Sequence, residues 1–451
     1  MQFQTINPYT GQVLAEYPAH TKAEIDQLLG QADAQFAHWS EGPFAIRAAC
    51  FRRLGRLLRD RQEELAQLMT AEMGKIMAES RAEIEKCAGQ CDYYAENAEA
   101  LLHPESIPTE ARQSGYRYEP VGVVLAIMPW NFPFWQVFRY AVPALMAGNV
   151  TLLKPAPNTL GCGFAIETAF RDAGFPEGVF ACLVADVPAL KAVIEDDRVG
   201  MITLTGSERA GASVAALAGA SIKKCVLELG GSDPLIVLAD ADLDKAAQAA
   251  VTSRMSNAGQ VCIAAKRWLV EETVAQAFNQ RVAELIRGIR QGDPFDPAVQ
   301  MGPIARLDLA EGLEKQLQQA LAQGAELLVG GQRNGTQMQP TLLGNVRPDN
   351  VVFQEETFGP LAAITTVADA DEAVRLANAS RYGLSAAIWT ADLDRAEQLA
   401  RRLRVGSVFV NAVVRSDSRL PIGGVKKSGY GRELAGPGIR EFCTVKTLYV
   451  A

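Results

Sequence analysis

Between residues 121 and 238, five short apolar runs alternate with amphipathic segments, and this alternation constrains the fold more than any other feature of the chain. The runs lie at 121–128, 150–153, 179–184, 200–205 and 235–238, and helix-spaced apolar residues fill 161–172, 188–196 and 209–218. Repeated strand–helix alternation implies an α/β fold, with a mainly parallel, doubly wound sheet covered by helices on both faces. A second alternating block follows position 262, with helical spacing at 274–289, 308–323 and 370–379 and strand-like runs at 386–389 and 407–410. Ahead of both blocks, 45–74 reads as an amphipathic helix stopped by Gly74; at the end, 445–450 reads as a strand. A single core stops growing at roughly 250–300 residues, so a chain of 451 residues is expected to form at least two domains.

Composition removes several functions. A net charge of −8 and a pI near 5.3 argue against nucleic acid or an anionic membrane as the main partner, although a local basic pocket still admits a nucleotide. The opening Met1-Gln2-Phe3-Gln4 lacks the basic and apolar regions of a leader. No apolar stretch reaches the ~20 residues a membrane helix needs, so a soluble cytoplasmic protein is expected. Eight scattered cysteines are too dilute for a disulfide framework. Cys87 and Cys91 share a helix-like stretch, but no second Cys or His pair accompanies them, and no metal is expected. The only histidines are His20, His38 and His103, far from every glycine-rich turn. Proton transfers in an enzyme of this composition fall to carboxylates or lysines.

Several positions suit chemistry, and each also has a plain structural reading. In Thr203-Leu204-Thr205-Gly206-Ser207-Glu208, a strand closes and a helix opens. Gly206 allows a tight turn there, Ser207 can cap the helix, and the free amides suit a phosphate. Gly211 follows without a Lys-Ser/Thr pair, and G-x-G-x-x-G is absent, so the turn is as readily structural. Lys154 ends an apolar run before Pro155, where it would reach a ribose or phosphate or else stand solvated in a loop. Cys262 has small and polar neighbours in Asn257-Ala258-Gly259-Gln260-Val261-Cys262; an inert packed thiol is the alternative. Glu228 follows Val226-Leu227 and precedes Leu229-Gly230-Gly231, and a carboxylate buried there is costly unless paired or used. Burial would raise its pKa toward the range of a general base. Asn131, bracketed by Pro129 and Pro133, either donates to a developing oxyanion or satisfies a turn.

Taken together, these segments resemble the aldehyde dehydrogenase superfamily. The motifs run in the family's order: Pro129-Trp130-Asn131-Phe132-Pro133, Lys154-Pro155-Ala156, Thr205-Gly206-Ser207, Glu228-Leu229-Gly230-Gly231, Gly259-Gln260-Val261-Cys262, Glu355-Glu356-Thr357-Phe358-Gly359-Pro360 and Gly423-Gly424-Val425-Lys426-Lys427-Ser428-Gly429. The resemblance implies that Cys262 attacks the aldehyde, that Asn131 and the Cys262 amide hold the oxyanion, and that Glu228 activates water against the thioester. It implies an NADP or NAD site in which Lys154 and Glu356 hold ribose hydroxyls, Ser207 the pyrophosphate, and Phe358 packs near the nicotinamide ribose. Trp130, Pro157, Gly206, Gly211 and Leu229 belong to the same site. The implied organisation is a cofactor domain over 1–105 and 125–228, a catalytic domain over 229–420, and an oligomerisation element over 106–124 and 435–451. An exposed strand edge in that element would be completed by another subunit, giving a homodimer or homotetramer.

Departures and additions refine the expectation. Ser232 stands where the family commonly has lysine after the glycines, and Pro157 replaces a glutamate common in strictly NAD-using members, so NADP is expected, alone or alongside NAD. Arg139 lies on an apolar segment, where a guanidinium needs an anion: either a bound carboxylate or a neighbouring Asp or Glu. Succinate-semialdehyde dehydrogenases carry arginine at this place, which makes succinate semialdehyde the expected substrate. Their second arginine, six residues before the nucleophile, is Ser256 here, with Arg415 or Arg419 as substitutes. The alternatives are another aldehyde or a CoA-acylating enzyme; the latter usually lacks the glutamate that Glu228 supplies.

Overall fold

In the computed structural model, which describes all 451 residues, the strand Val123–Ile127 pairs in parallel with Val150–Lys154 on one side and Val199–Thr205 on the other. Phe180–Cys182 extends the sheet beyond the first neighbour and Lys224–Glu228 beyond the second, while Gly429–Tyr430 closes the latter edge antiparallel. The chain winds outward one way, then returns across the central strand and winds the other. That reversal opens a crevice at the carboxyl ends of Val123–Ile127 and Val199–Thr205, where open α/β sheets hold ligands.

Asp233–Val237 starts a seven-stranded sheet immediately after Lys224–Glu228 ends in the first. Its order is Glu326–Val329, Thr341–Gly344, Leu361–Val367, Ala265–Glu271, Asp233–Val237, Ser385–Trp389 and Ser407–Val410, parallel except at Glu326–Val329. Leu235 and Val237 enter one apolar cluster, Ile236 and Leu238 another on the opposite face. Burial on both faces is why these strands read as continuous apolar runs rather than alternating ones. A third, three-stranded sheet pairs Cys443–Val450 with Gln113–Pro120, and that strand with Glu105–Ser106.

The parallel sheets inferred from the alternation are present, with local differences. The single helix expected over 45–74 is two, Phe44–Asp60 and Gln62–Met73, because Arg61 leaves helical geometry at φ −104°. The break lets the second helix pack on Leu160–Asp172, and Arg61 Nη1 pairs with Asp172 at 2.8 Å. The run 179–184 forms only Phe180–Cys182, since an edge strand has one partner to hold it. Val123 and Val124, expected in a hairpin with Ser106, belong instead to the six-stranded sheet. An N-terminal hairpin, Gln2–Ile6 with Val13–Pro18, and the helix Lys22–Glu41 were not foreseen.

Asn149 ties three of these pieces together from a fully buried position. Its Oδ1 accepts from the amides of Val121 (2.7 Å) and Gly122 (3.2 Å), and its Nδ2 donates to the carbonyls of Ala144 (2.9 Å) and Phe442 (2.8 Å). Asn149→Ala strands these groups without water, and the expected loss is about 2–3 kcal/mol. It is read as a lowered thermal midpoint; an unchanged midpoint would show that the backbone groups find other partners.

Candidate active site

Three strand ends of the six-stranded sheet meet around one cavity. Val123–Ile127 leads into Pro129-Trp130-Asn131, Val199–Thr205 into Gly206-Ser207, and Lys224–Glu228 into Leu229-Gly230. With Leu309, Glu356 and Phe358, these residues line a space of about 250 Å³ whose wall includes Cys262. A second space of about 200 Å³ is lined by Lys86, Trp135, Arg139, Ser256 and Arg415, and again by Cys262. Cys262 thus lines both chambers and stands between them.

The loop that places it is unusual backbone. Asn257, Ala258 and Gly259 follow one another at φ 51°, 51° and 72°, a left-handed conformation that costs non-glycine residues roughly 1–2 kcal/mol each. Neighbouring groups hold it. Glu79 accepts from the Asn257 amide (2.9 Å) and the Ser256 hydroxyl (2.7 Å), and Asn257 Nδ2 donates to the Asn131 carbonyl (2.8 Å). Asn131 Nδ2 in turn donates to the Gln260 carbonyl (2.9 Å), and Arg254 to that of Gly259 (3.1 Å). Lys266, fully buried, donates to the Cys262 carbonyl (2.7 Å) and pairs with Glu356 at 3.1 Å. A Cβ at Gly259 would lie 2.2 Å from the Gly359 carbonyl oxygen, so only glycine fits.

The charges near the thiol are few and buried. Desolvation pushes the Cys262 thiol up to about 11, against the pull of Arg139 and Lys266. Burial likewise raises Glu228 well above the ordinary carboxylate range, with Arg139 opposing, and its Oε1 has no hydrogen-bond partner. Burial thus disfavours the charged form of both groups. Arg139 is ion-paired with Glu433, a carboxylate with no exposed surface. Nucleophile and base therefore share one guanidinium as their electrostatic neighbour.

Most of the residues singled out from the sequence converge here. Trp130, Asn131, Gly206, Ser207, Leu229, Glu356 and Phe358 line the first chamber with Cys262, and Trp130 meets Phe358 edge to face at 5.7 Å. Ser207 caps the helix Glu208–Ala220. Lys154, at the next strand end, has no carboxylate partner, and burial lowers its pKa. Pro157 lies beside it, outside the first chamber. Gly211 does not face the chamber; a Cβ there would strike Leu229 at 2.5 Å, so its role is to let the helix approach.

Around the second chamber the three arginines are placed differently. Arg139 lines it, but the ion pair with Glu433 already balances its charge, the alternative weighed from the sequence. Arg419 is turned to Asp417 at 2.6 Å and lies outside the lining, whereas Arg415 is part of it. Four residues had escaped the sequence reading: Lys86, Glu79, Lys266 and Glu433. Only Glu433 had a signal, since a buried arginine demands an anion. Cys87 and Cys91 are packed in the core, and no group of three His, Cys, Asp or Glu is arranged to hold a metal.

The family model described as aldehyde dehydrogenase matches residues 1–448. The chain belongs to that family. Among its relatives, a succinate semialdehyde dehydrogenase of Escherichia coli named for NAD(P)+ is 49% identical, covering 99% of this chain and 97% of its own. A probable NADP(+) succinate-semialdehyde dehydrogenase of Synechocystis is 46% identical with full coverage of both chains. The crystal structure of succinic semialdehyde dehydrogenase from Streptococcus pyogenes, in complex with NADP+, superposes with a TM-score of 0.97 at 34% identity, covering 99% of each chain.

The loop geometry makes a direct prediction for this aldehyde dehydrogenase. Gly259→Ala must move the segment that ends at Cys262, and a displacement near 1 Å costs about a hundredfold in turnover. Steady-state kcat on any accepted aldehyde reads the effect. Wild-type kcat in that variant would mean that the left-handed turn is not needed to aim the thiol.

Proposed function

We propose that the chain oxidises succinate semialdehyde to succinate, reducing NADP and consuming one water. The observation that carries this reading is Cys262 in the partition between two chambers, one bounded by strand ends and a capped helix, the other by cationic side chains. Relatives that bear the activity in their names match over the whole chain.

The first chamber fits a dinucleotide by its chemistry. Ser207 opens a helix whose first-turn amides suit a pyrophosphate, and the charge of Glu208 beside it is neutralised by Arg381. Lys154 offers an ammonium without a counterion. Trp130, Gly206, Leu229, Glu356 and Phe358 complete the lining. When bound, the nicotinamide supplies the acceptor for the aldehyde's hydride.

The chain's own residues do the rest. The Cys262 sulfur attacks the carbonyl carbon, and the thiol proton passes to Glu228 in its ionised form, whose raised basicity and unpartnered Oε1 suit the transfer. Asn131 Nδ2, already aligned by the Gln260 carbonyl, and the Cys262 amide would donate to the oxyanion. Loss of hydride leaves a thioester on Cys262. Glu228 releases the thiol's proton to solvent and then takes a proton from water as the oxygen attacks; the adduct collapses, succinate leaves, and the Cys262 sulfur recovers its proton from Glu228. A CoA-acylating enzyme would hand the acyl group to an external thiol instead; Glu228 in this position favours hydrolysis.

In this reading the six-stranded sheet carries the coenzyme, and the seven-stranded sheet carries the nucleophile. The third sheet joins subunits: Val445, Leu448 and Tyr449 stand exposed on Cys443–Val450, whose outer edge has no partner strand. All eight cysteines are free, which suits a reducing cytoplasm.

The expected outcomes are specific. Cys262→Ala abolishes oxidation, while Glu228→Gln gives a rapid burst of reduced coenzyme followed by slow turnover, read by stopped-flow absorbance; undiminished steady-state turnover in either variant removes the assignment. For the coenzyme, Pro157 neither accepts from a ribose hydroxyl nor repels a phosphate. Pro157→Glu places a carboxylate beside Lys154 and lowers kcat/KM for NADP by about tenfold or more, since like-charge juxtaposition is costly, with NAD little affected. A wild-type enzyme that strongly prefers NAD would show that another group excludes the 2′-phosphate.

A further inference from the structure

The second chamber holds three cations, and their charges are not equally available. Arg139 is neutralised by Glu433 inside the protein, and its guanidinium is a neighbour of both Glu228 and Cys262. Lys86 is different. It reaches the chamber from the helix Met77–Leu101, lies over the Trp135 ring with Nζ 4.1 Å from the centroid, and donates to the Ser416 hydroxyl at 2.6 Å. No carboxylate stands within ion-pair distance of it. The two acidic groups nearest in effect are committed elsewhere: Glu83 to Lys75 and to the amides of Phe134 and Trp135, Asp417 to Arg419. Arg415, exposed at the rim of the same chamber, forms no ion pair, although Asp417 feels its charge.

An ammonium taken largely out of water without a counterion is expensive unless a ligand supplies the charge. Burial, with Arg139 close by, depresses its pKa to about 8, while Glu83, Asp417 and the Cys87 thiol pull the other way. The second arginine of the family's acidic-aldehyde enzymes is Ser256 here, and its hydroxyl is spent on Glu79. The chamber therefore has one position where a carboxylate gains an unshared positive charge beside a hydroxyl donor, on the Cys262 side of the protein away from the strand ends.

We propose that Lys86, assisted by Ser416 and by Arg415 at the rim, binds the terminal carboxylate of the substrate, while Arg139 stays ion-paired with Glu433. The proposal rests on the reading that the substrate is an acidic aldehyde. It assigns substrate selection to the helix Met77–Leu101, which contributes nothing to the family's motifs.

The test compares kcat/KM for succinate semialdehyde and for butanal in the wild-type enzyme, Lys86→Met, Lys86→Arg and Arg139→Ala. Lys86→Met is expected to lower the value for the acidic aldehyde by roughly ten- to a hundredfold, mainly through KM, and that for butanal by no more than about threefold; Lys86→Arg restores most of the loss. Arg139→Ala should lower both substrates together. A second readout uses the wild-type enzyme alone. The ratio of the two kcat/KM values, in which the titrations of Cys262 and Glu228 cancel, should fall as pH rises through about 8, the value to which burial depresses Lys86, and stay flat in Lys86→Arg. A wild-type enzyme without preference for the acidic aldehyde overturns the substrate reading and this proposal with it. A preference that survives Lys86→Met, or an equal loss on both substrates, overturns the role of Lys86 alone.

Discussion

The backbone from Asn257 to Gly259 turns left-handed three times in succession and is pinned by hydrogen bonds from several separate parts of the chain. Left to itself such a segment would relax, because the strain exceeds what a surface loop retains without help. Glu79 comes from an N-terminal helix, Asn131 from a strand end in one sheet, Arg254 from the helix just before the loop, and Gly359 blocks any side chain at Gly259. The same contacts that remove the strain's freedom also join the two sheets. The position of the Cys262 sulfur is thus a property of the whole packing arrangement and belongs to no single element.

Charge is handled with similar economy. Glu228, Glu433 and Arg139 are all buried, and the arginine's charge opposes the rise in pKa that burial imposes on both acids. A carboxyl with a raised pKa is a better base than an ordinary one, but a fully neutral pair would be inert. One guanidinium shared between them keeps the site responsive without leaving a bare charge in the interior.

The general plan was readable because both sheets are buried on their two faces. That burial forces uninterrupted apolar runs such as Val123–Ile127, and the helices between them must be amphipathic to cover the sheet. The chamber around Trp130, Ser207 and Leu229 was readable through motifs, each of which marks a strand end that must turn sharply. What escaped obeys no periodicity. Lys86 is one polar residue on a long helix, and its importance lies in what fails to face it. Glu433 sits in a loop and acquires meaning only from Arg139, nearly three hundred residues earlier. The helix break at Arg61 escaped because the apolar spacing runs straight through it, and only the arrangement of neighbouring helices requires the turn. The helix Lys22–Glu41 went unread although Thr21, which receives the Glu24 amide and whose own amide donates to that glutamate, marks its start in the sequence.

The strand that bears Glu228 is finished from far along the chain. Gly429 pairs with Glu228 across the sheet edge, the Leu229 amide donates to the Ser428 carbonyl, and the Ser428 hydroxyl donates to the carbonyl of Gly230. A ribosome delivers Cys262 and Glu228 long before it delivers these residues or Glu433. While the chain is still being made, the Glu228 strand has Val199–Thr205 on one side but not Gly429 on the other, and Arg139 is without Glu433, so the base is not yet held in its final place. Vectorial synthesis by itself delays the chemistry until the molecule is able to contain it.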